Sequence, residues 1–375
     1  MNRFWRIFGI LLLTSCTGRA DEAVRTDGTS ISGTLKLAKT GEFTFQTAAT
    51  SEPVERLDLV RLSVKPDRAK LRDLPHQVRL IHGQVIYGEL LKLEADHVHV
   101  RTAWAESLLI SCRLIERIRS VPQNPLNVAK PWADLTADGL RSLDGDETFG
   151  TITELSAEKI VLETRAKKLF ARWTELAEIG FKRGPISQRE TKGEHVQLRL
   201  RTSGNARDIL EGAVRSFDEN TVTLVHATLG ELPIPRDFVA EVRFRFHGRC
   251  VPVDSTPRHL GNRPAFRFSS PKPEGMTFSN SVPLEMKSKG FVVIDAAGLS
   301  AKGARVELRV NGKTVGELNR LVDQPDGEVK TLRLPLPGLA DDKTGIEVRV
   351  IADREGRKIS GVDLRGVRIE IVEAR

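Results

Sequence analysis

The sequence has few cysteines, which cross-link small modules through disulfide bonds, and few aromatic residues, which stack on sugar rings. Its 375 residues include three cysteines and one tyrosine, and aromatic residues make up 5% of the chain. One disulfide pair cannot hold several modules together. The region after residue 260 has neither Trp nor Tyr, and the apolar face of a sugar ring stacks best on those side chains. The sequence therefore argues against an aromatic sugar-binding platform in that region.

The short motifs that mark common catalytic and cofactor sites are also absent. The sequence has no Gly-x-Ser-x-Gly, His-Glu-x-x-His, phosphate-binding loop, Cys-x-x-Cys pair or EF-hand loop. We therefore predict that the protein is not an enzyme and that it binds no cofactor.

The chain is basic, with a formal net charge of +8 and a sequence pI of about 9.5. Lys and Arg are scattered along the chain instead of forming clusters. Scattered charge is typical of a solvated basic surface, so we predict no nucleic-acid partner.

The N-terminal residues 1–23 predict export. Arg3 and Arg6 precede an apolar run at residues 7–13, which is too short to span a membrane as a helix. The stretch Leu13-Thr14-Ser15-Cys16 resembles a bacterial lipobox. This resemblance implies a lipid on Cys16 and a membrane-anchored lipoprotein of the cell envelope, facing the periplasm or the cell surface. Simple signal cleavage after Ala20 is the alternative.

The two other cysteines are Cys112 and Cys250. Export would permit a disulfide bond between them. The alternative is two buried free thiols.

One spacing recurs four times in the first two-thirds of the chain. In the first three copies a glycine is followed five residues later by a second glycine. A Thr or His lies 14 residues beyond the second glycine, and an apolar residue lies 12 residues beyond that. The fourth copy has three extra residues between its glycines. The four sets are Gly28, Gly33, Thr47 and Leu59; Gly83, Gly88, Thr102 and Leu114; Gly145, Gly150, Thr164 and Leu176; and Gly204, Gly212, His226 and Phe238. A constant spacing indicates repeated structural units.

Each copy alternates apolar and polar residues in short runs, which predicts half-buried strands. In the fourth copy Pro233 and Pro235 require an edge strand. We predict an all-β protein of four tandem small antiparallel barrels followed by a β-sandwich. The predicted boundaries are residues 24–64, 78–121, 139–181 and 195–246 for the repeats, 247–260 for a linker and 261–375 for the sandwich.

The repeat pattern resembles the tandem SH3-like or Sm-like barrels of exported bacterial proteins. The segments "VELRVNGKTVGEL", "LRLPLPGL", "GIEVRVIA" and "SGVDLRGVRIEI" resemble the jelly-roll sandwiches of the galactose-binding-like superfamily. The second resemblance implies an association with polysaccharides.

Two candidate metal sites stand out. His97 and His99 lie two apart on a predicted strand and share one face, so both could reach one ion, with Asp96 or His82 as a third ligand. Their alternative role is a solvent-facing strand edge. Acidic loops at Asp323, Asp326 and Asp341-Asp342 could bind calcium, and solvated turns explain them equally well. We therefore predict no metal site.

Polar side chains of the C-terminal region are the candidates for ligand binding. They are Asn319, Arg320, Arg354 and Asp363. For Asp363 a structural hydrogen bond is the alternative.

These observations favour a non-catalytic exported protein that acts as a scaffold, an adhesion protein or a ligand-binding module. Its partner would be an envelope protein or a polysaccharide. The alternatives are a polysaccharide-binding protein that uses the C-terminal sandwich, and a carbohydrate-active enzyme with an unrecognised site. Fold resemblance alone does not decide among them.

Overall fold

The structure is a computed structural model, and it describes most of the chain from residue 20 onward. The described residues are 20–37, 43–53, 57–63, 71, 73–121, 136–203, 207–261, 274–284, 289–299, 304–322, 329–337, 343–351 and 361–373. Cys16 and the rest of the predicted export signal before residue 20 lie outside them. No helix in these ranges is long and apolar enough to cross a membrane.

Four units of five strands form the first part of the fold. Unit 1 contains β1 (Asp21–Arg25), β2 (Ser30–Leu37), β3 (Phe43–Gln46), β4 (Ser51–Pro53) and β5 (Leu57–Arg61). Unit 2 contains β6 (His76–Leu80), β7 (Val85–Glu94), β8 (His97–Arg101), β9 (Leu108–Ser111) and β10 (Ile115–Ser120). Unit 3 contains β11 (Asp138–Ser142), β12 (Glu147–Leu155), β13 (Lys159–Glu163), β14 (Lys168–Arg172) and β15 (Leu176–Gly180). Unit 4 contains β16 (Thr191–Arg201), β17 (Arg207–Phe217), β18 (Thr221–His226), β19 (Gly230–Pro235) and β20 (Val239–Asp254).

The same antiparallel pairing order recurs in all four units. The first four strands pair in sequence, and the fifth returns to pair with the first. The predicted all-β class is confirmed. As the prolines require, β19 pairs with β18, and no second strand pairs with it among the described residues.

The first unit begins earlier than the sequence predicts. Asp21, Glu22 and Ala23 belong to β1 and pair with β2 and β5, whereas residues 1–23 were predicted to precede the repeat. The reason is local, because Asp21 is buried and its carboxylate accepts backbone hydrogen bonds from Leu35 and Ser63. Asp138 accepts the equivalent pair in unit 3, from Ile152 and Lys182.

The repeated glycines have two different roles. Gly28, Gly83 and Gly145 have φ values of 86°, 81° and 93°, which a tight turn between strands requires. The second glycine is needed for space. A Cβ on Gly150 would stand 2.4 Å from the carbonyl oxygen of Glu163 on the paired strand, and the other three units have the same close approach. Gly204 lies outside the described residues.

The closing strand follows the repeated spacing in unit 3 but not in the other three units. In the structure, the residues of the fifth strand that pair with equivalent positions of the first strand are Leu57, Ile115, Leu176 and Val239. The repeated spacing selects Leu59, Leu114, Leu176 and Phe238. The segment between the third and fifth strands varies in length, and in units 2, 3 and 4 it includes one turn of 3₁₀ helix. A constant count therefore loses the structural equivalence there.

The C-terminal unit consists of two sheets. Its strands are β21 (Arg258–Leu260), β22 (Thr277–Pro283), β23 (Lys289–Ala297), β24 (Arg305–Val310), β25 (Lys313–Glu317), β26 (Lys330–Pro335), β27 (Lys343–Ile351) and β28 (Val362–Val372). One sheet pairs β28 with β20, β21 and β23, and β23 with β26. The other has the order β22-β27-β24-β25. Apolar residues of both sheets form one core cluster.

The segment predicted as a linker, residues 247–260, contains strands. β20 continues from unit 4 through Asp254, pairs with β28 over this stretch, and is followed by β21. Pro252 is accommodated because the register shifts between Pro252 and Asp254, and strand prolines are tolerated at bulges. Pro252 therefore lies in a paired strand, and Pro257 lies between β20 and β21.

The four units also share one hydrophobic core cluster. β20 pairs with β5, β10 with β15 and β17 with β7, so strands of different units join directly. Units 2 and 4 also meet at Asp208, whose buried carboxylate accepts hydrogen bonds from the Trp104 indole (2.6 Å) and the Tyr87 amide (2.7 Å). Burial raises the pKa of Asp208 to about 7.

Candidate functional site

A cavity of about 440 Å³ lies where unit 2, unit 4 and the C-terminal unit meet. We call it the junction cavity. Unit 2 contributes the β6–β7 turn with His82 and Gln84, unit 4 contributes Glu211 and Arg245, and the C-terminal unit contributes Arg368. The continuous strand β20 fixes unit 4 to the C-terminal unit, and this places the three walls around one space.

Asp295 anchors the C-terminal wall of the junction cavity. Its carboxylate accepts hydrogen bonds from Arg368 (2.5 Å) and from the hydroxyl of Thr331 (2.7 Å). His82 Nδ1 lies 3.4 Å from Asp295 Oδ2. Gly366, opposite Asp295 in the strand register, lets the His82 ring approach, since a Cβ there would stand 3.2 Å from it. Residues of unit 2 and the C-terminal unit therefore share one charged cluster.

Strong electrostatic pairing fixes the charge of that cluster. Burial alone would raise the pKa of Asp295, but the Arg368 guanidinium and His82 outweigh burial and hold it well below its usual range. Burial likewise lowers the pKa of Arg368, and Asp295 outweighs this effect and raises it. Both groups are charged at neutral pH.

A second polar cluster comes from units 2 and 4. Gln84 Oε1 accepts hydrogen bonds from His226 Nε2 (2.9 Å) and from the backbone amide of Glu211 (3.0 Å). The Glu211 carboxylate accepts hydrogen bonds from Gln197 (2.6 Å) and Arg245 (3.4 Å). These contacts hold the side chains of this wall in place.

His226 occupies the position of a threonine in the other units. Thr102 Oγ1 accepts backbone hydrogen bonds from Trp104 and Ala105, and Thr47 and Thr164 cap the same turn. In unit 4, His226 Nδ1 accepts from the amides of Thr228 and Leu229, each at 3.1 Å. The imidazole therefore caps the turn with one nitrogen and reaches Gln84 across the junction with the other.

The third histidine of the junction cavity, His195, is held inside unit 4. Its Nε2 lies 2.9 Å from the hydroxyl of Thr191, its Nδ1 donates to the carbonyl of Gly193 (3.1 Å), and its ring stacks on Phe246 at 4.2 Å. Burial lowers the pKa of His195 to about 4 and that of His226 to about 3. Both rings are uncharged at neutral pH.

The junction cavity has more positive than negative side chains. Five arginines and three carboxylates line it: Arg79, Arg189, Arg245, Arg333 and Arg368, with Glu211, Asp295 and Glu370. Arg333 lies 2.6 Å from Glu370, and Arg79 lies 3.2 Å from Glu116 outside the junction cavity. No carboxylate pairs with Arg189 in the part of the chain that the structure describes.

The predicted metal residues do not converge. His97 and His99 point outward from β8 while Val98 and Val100 are buried. His97 Nδ1 contacts its own turn at Ala95 O, and His99 Nε2 lies 3.3 Å from Glu94. Neither proposed third ligand joins them, because Asp96 lies in the β7–β8 turn with a φ of 63° and His82 pairs with Asp295. Within the described ranges, no three His, Cys, Asp or Glu side chains could hold a metal ion.

The predicted ligand-binding residues do not form one site either. Asn319 is buried and its Oδ1 accepts a hydrogen bond from the Val306 amide. Asp363 is buried against His259 in a hydrogen-bonded pair. Arg320 is exposed and lies 2.6 Å from Glu317. The remaining predicted residues lie outside the described residues: Arg354, Asp323, Asp326, Asp341 and Asp342.

Cys112 and Cys250 are free thiols, so the disulfide alternative does not hold. Burial is the main cause that raises the pKa of each to about 12. Cys250 lines the junction cavity as a neutral thiol.

Sequence reasoning did not find the junction cavity, because its walls come from segments far apart in the chain. One signal was visible, namely the His226 that replaces the repeated threonine. It marks the turn of unit 4 as different from the other three turns.

No family model and no curated protein matches the chain. Among solved structures, similarity is found to the CBM36-1 domain of a multidomain xylanase from the hindgut metagenome of Trinervitermes trinervoides, at 16% identity over 34% of this chain and 97% of that chain, with a TM-score of 0.21. The tandem CBM51 modules of a family 98 glycoside hydrolase from Streptococcus pneumoniae are 8% identical over 63% and 88%, with a TM-score of 0.20. An exo-β-1,3-galactanase from Phanerochaete chrysosporium is 11% identical over 94% and 100%, with a TM-score of 0.23. At these scores the likeness carries no functional argument.

Proposed function

We propose that this chain is a non-catalytic binding and scaffold protein of the cell envelope, and that it holds a polar ligand in the junction cavity. The observation that carries the proposal is the junction cavity itself. Three structural units supply fixed polar side chains to a space of about 440 Å³, which is within the size range of ligand sites.

The scaffold in this proposal is four small barrels followed by a β-sandwich. Its support is the pairing of each unit's fifth strand with its first, and the two sheets that share one core in the C-terminal unit. The strand β20 belongs to both parts. A scaffold joined in this way keeps the walls of a binding site at a constant distance.

A binding role fits the junction cavity better than catalysis does. General acid–base chemistry needs groups that exchange protons near the working pH. Asp295 remains ionised, and His195, His226 and Cys250 remain uncharged, for the reasons given above. These four groups therefore contribute hydrogen bonds and charge, not proton transfer.

The C-terminal unit alone is a weaker candidate for the binding site. Asn319 and Asp363 are committed to hydrogen bonds inside it, so they are not available to a polysaccharide. We therefore assign the ligand to the junction cavity, which the C-terminal unit shares with units 2 and 4.

The test is ligand capture by the mature full-length protein. Wild type and two variants are screened on a glycan array and in pull-downs from envelope extracts. Arg245→Gln changes the junction cavity, and Arg215→Gln is the matched control because its arginine is exposed and pairs with Glu231 elsewhere on unit 4. We expect wild type and Arg215→Gln to retain the same ligand and Arg245→Gln to lose it. Equal retention by both variants, or turnover of the captured saccharide, would contradict the proposal.

A further inference from the structure

We propose that the junction cavity binds an acidic sugar, a hexuronate residue within an oligosaccharide, and that Arg189 pairs with its carboxylate. This inference rests on the proposed binding function and names the chemical class of the ligand. It follows from which charges and hydrogen-bonding groups of the junction cavity remain unpaired.

The charges of the junction cavity balance except at one arginine. Arg368 pairs with Asp295, Arg333 with Glu370 and Arg245 with Glu211, while Arg79 pairs with Glu116. Arg189 has no carboxylate partner among the residues that the structure describes. An arginine whose charge is unmatched beside a cavity favours an anionic ligand.

Arg189 is anchored at its backbone and open at its side chain. Its amide donates to the carbonyl of Ala227 (3.0 Å), which ties it to the turn that His226 caps. Its guanidinium lies beside Gly230, 3.7 Å from where a Cβ would stand, and the residue is exposed. A ligand can therefore reach the guanidinium from solvent.

One unpaired guanidinium matches one negative charge. The planar fork of an arginine binds a carboxylate through two parallel hydrogen bonds. A phosphate monoester at neutral pH concentrates about −1.5 to −2 charges on one group, which is more than one unpaired arginine neutralises, whereas each hexuronate residue carries a single carboxylate. The volume of about 440 Å³ also exceeds what a carboxylate alone would fill, so the rest of the ligand is a neutral polar body.

The remaining wall is suited to hydroxyl groups. Gln84 uses its oxygen for His226 and Glu211, and its side-chain nitrogen has no partner in the described ranges. The hydroxyls of Thr191, Thr228 and Thr331 also line the cavity. Each is in hydrogen-bond contact with a neighbouring side chain, and its oxygen can still accept a hydrogen bond from a ligand. Sugar hydroxyls both donate and accept hydrogen bonds, and amides and hydroxyls on a protein do the same.

The experiment compares an acidic and a neutral trisaccharide of the same linkage, which differ in the carboxylate of each residue, and adds inorganic phosphate as a third probe. Titration calorimetry on the mature full-length protein uses trigalacturonate, neutral galactotriose and inorganic phosphate. The variants are Arg189→Gln and, as the matched control, Arg165→Gln, an exposed arginine in the β13–β14 turn of unit 3. Circular dichroism confirms that both variants fold.

We expect trigalacturonate to bind wild type and Arg165→Gln equally, and galactotriose at least tenfold more weakly. Arg189→Gln should lose at least tenfold in affinity for trigalacturonate and leave the affinity for galactotriose unchanged. Equal binding of the two sugars, with no effect of Arg189→Gln, would overturn the acidic-sugar inference and leave the proposed binding function standing. Phosphate binding without sugar binding would overturn the assignment to a saccharide. If none of the three probes binds but the protein captures another protein, and Arg245→Gln abolishes that capture, the acidic-sugar inference alone is overturned. If Arg245→Gln does not affect the capture, the proposed function is overturned as well.

Discussion

At the scale of single residues, His226 shows how a repeated position can acquire a second contact. It caps a turn as threonine does in the other units, and its far nitrogen reaches Gln84 in unit 2. The cost is sensitivity to acid. Its folded-state pKa of about 3 lies below the unfolded value of 6.5, so the folded state binds fewer protons between these values. Its contribution to stability is complete above pH 6.5 and is lost as the pH falls toward 3.

We expect His226→Thr to remove part of the acid sensitivity. At pH 7.5 the variant should be less stable by about 1–3 kcal/mol, because the hydrogen bond to Gln84 is lost and the ring leaves a void. Between pH 6.5 and 4.5 wild type should lose about 2–3 kcal/mol more than the variant, at roughly 1.4 kcal/mol per pH unit. Urea unfolding at several pH values measures both effects.

The control is His97→Thr, which changes an exposed histidine on β8. Its stability should have the pH dependence of wild type. If His226→Thr loses stability on acidification as steeply as wild type, the buried neutral state of His226 is not the cause.

Asp363 forms a structural hydrogen bond, which was the alternative to ligand binding that the sequence left open for it. It is hydrogen-bonded to His259 inside the C-terminal unit, so we expect Asp363→Asn to lower the free energy of unfolding by about 1–3 kcal/mol without removing a ligand-binding function. Asp146→Asn, at an exposed position, should change stability by less than about 0.5 kcal/mol. Thermal and urea unfolding measure stability, and calorimetry with trigalacturonate measures binding. A folded Asp363→Asn variant that no longer binds would show that Asp363 acts in the site.

At the scale of elements, the second glycine of each unit controls the approach of two strands. We expect Gly150→Ala to lower the free energy of unfolding by about 1–3 kcal/mol, because its Cβ would stand 2.4 Å from the carbonyl oxygen of Glu163. Gly345→Ala is the matched control in a strand of the C-terminal unit, since the nearest atom to its Cβ is Asn311 Oδ1 at 3.5 Å. Urea unfolding compares the two. Equal effects would mean that strand entropy, and not the close approach, explains the glycine.

At the scale of the whole molecule, the shared core and the continuous strand β20 predict cooperative unfolding. Trp104 and Trp173 report on units 2 and 3, and the half-buried thiol of Cys250 reports on the junction with the C-terminal unit. We expect the loss of tryptophan fluorescence and the labelling of Cys250, measured in a Cys112→Ala background, to share one urea midpoint. Two separated midpoints would show that the units fold independently.

The attachment of the molecule to a membrane is predicted from the sequence alone. We expect the mature chain to begin at Cys16 and to carry lipid, since two acyl chains at about 0.8 kcal/mol per buried CH₂ hold a protein on a bilayer. Mass spectrometry of the mature N-terminus measures this, with Cys112→Ala as a control that should remain in the membrane fraction. A chain that begins at Asp21 would refute lipidation, and it would keep β1 whole.

The sequence by itself determined the all-β class and the repeated strand pattern, because alternation and turn glycines are local properties that neighbouring residues enforce. It also indicated the outward position of His97 and His99, since a strand alternates its two faces.

The tertiary structure alone decided how the units join and where the candidate site lies. The sequence predicted a linker at residues 247–260, whereas a bulge against β28 accommodates Pro252 within a paired strand. The junction cavity brings together His82, His226 and Asp295. His82 precedes the other two by more than a hundred residues in the sequence. No local pattern records such a meeting, because it depends on the packing of one unit against another.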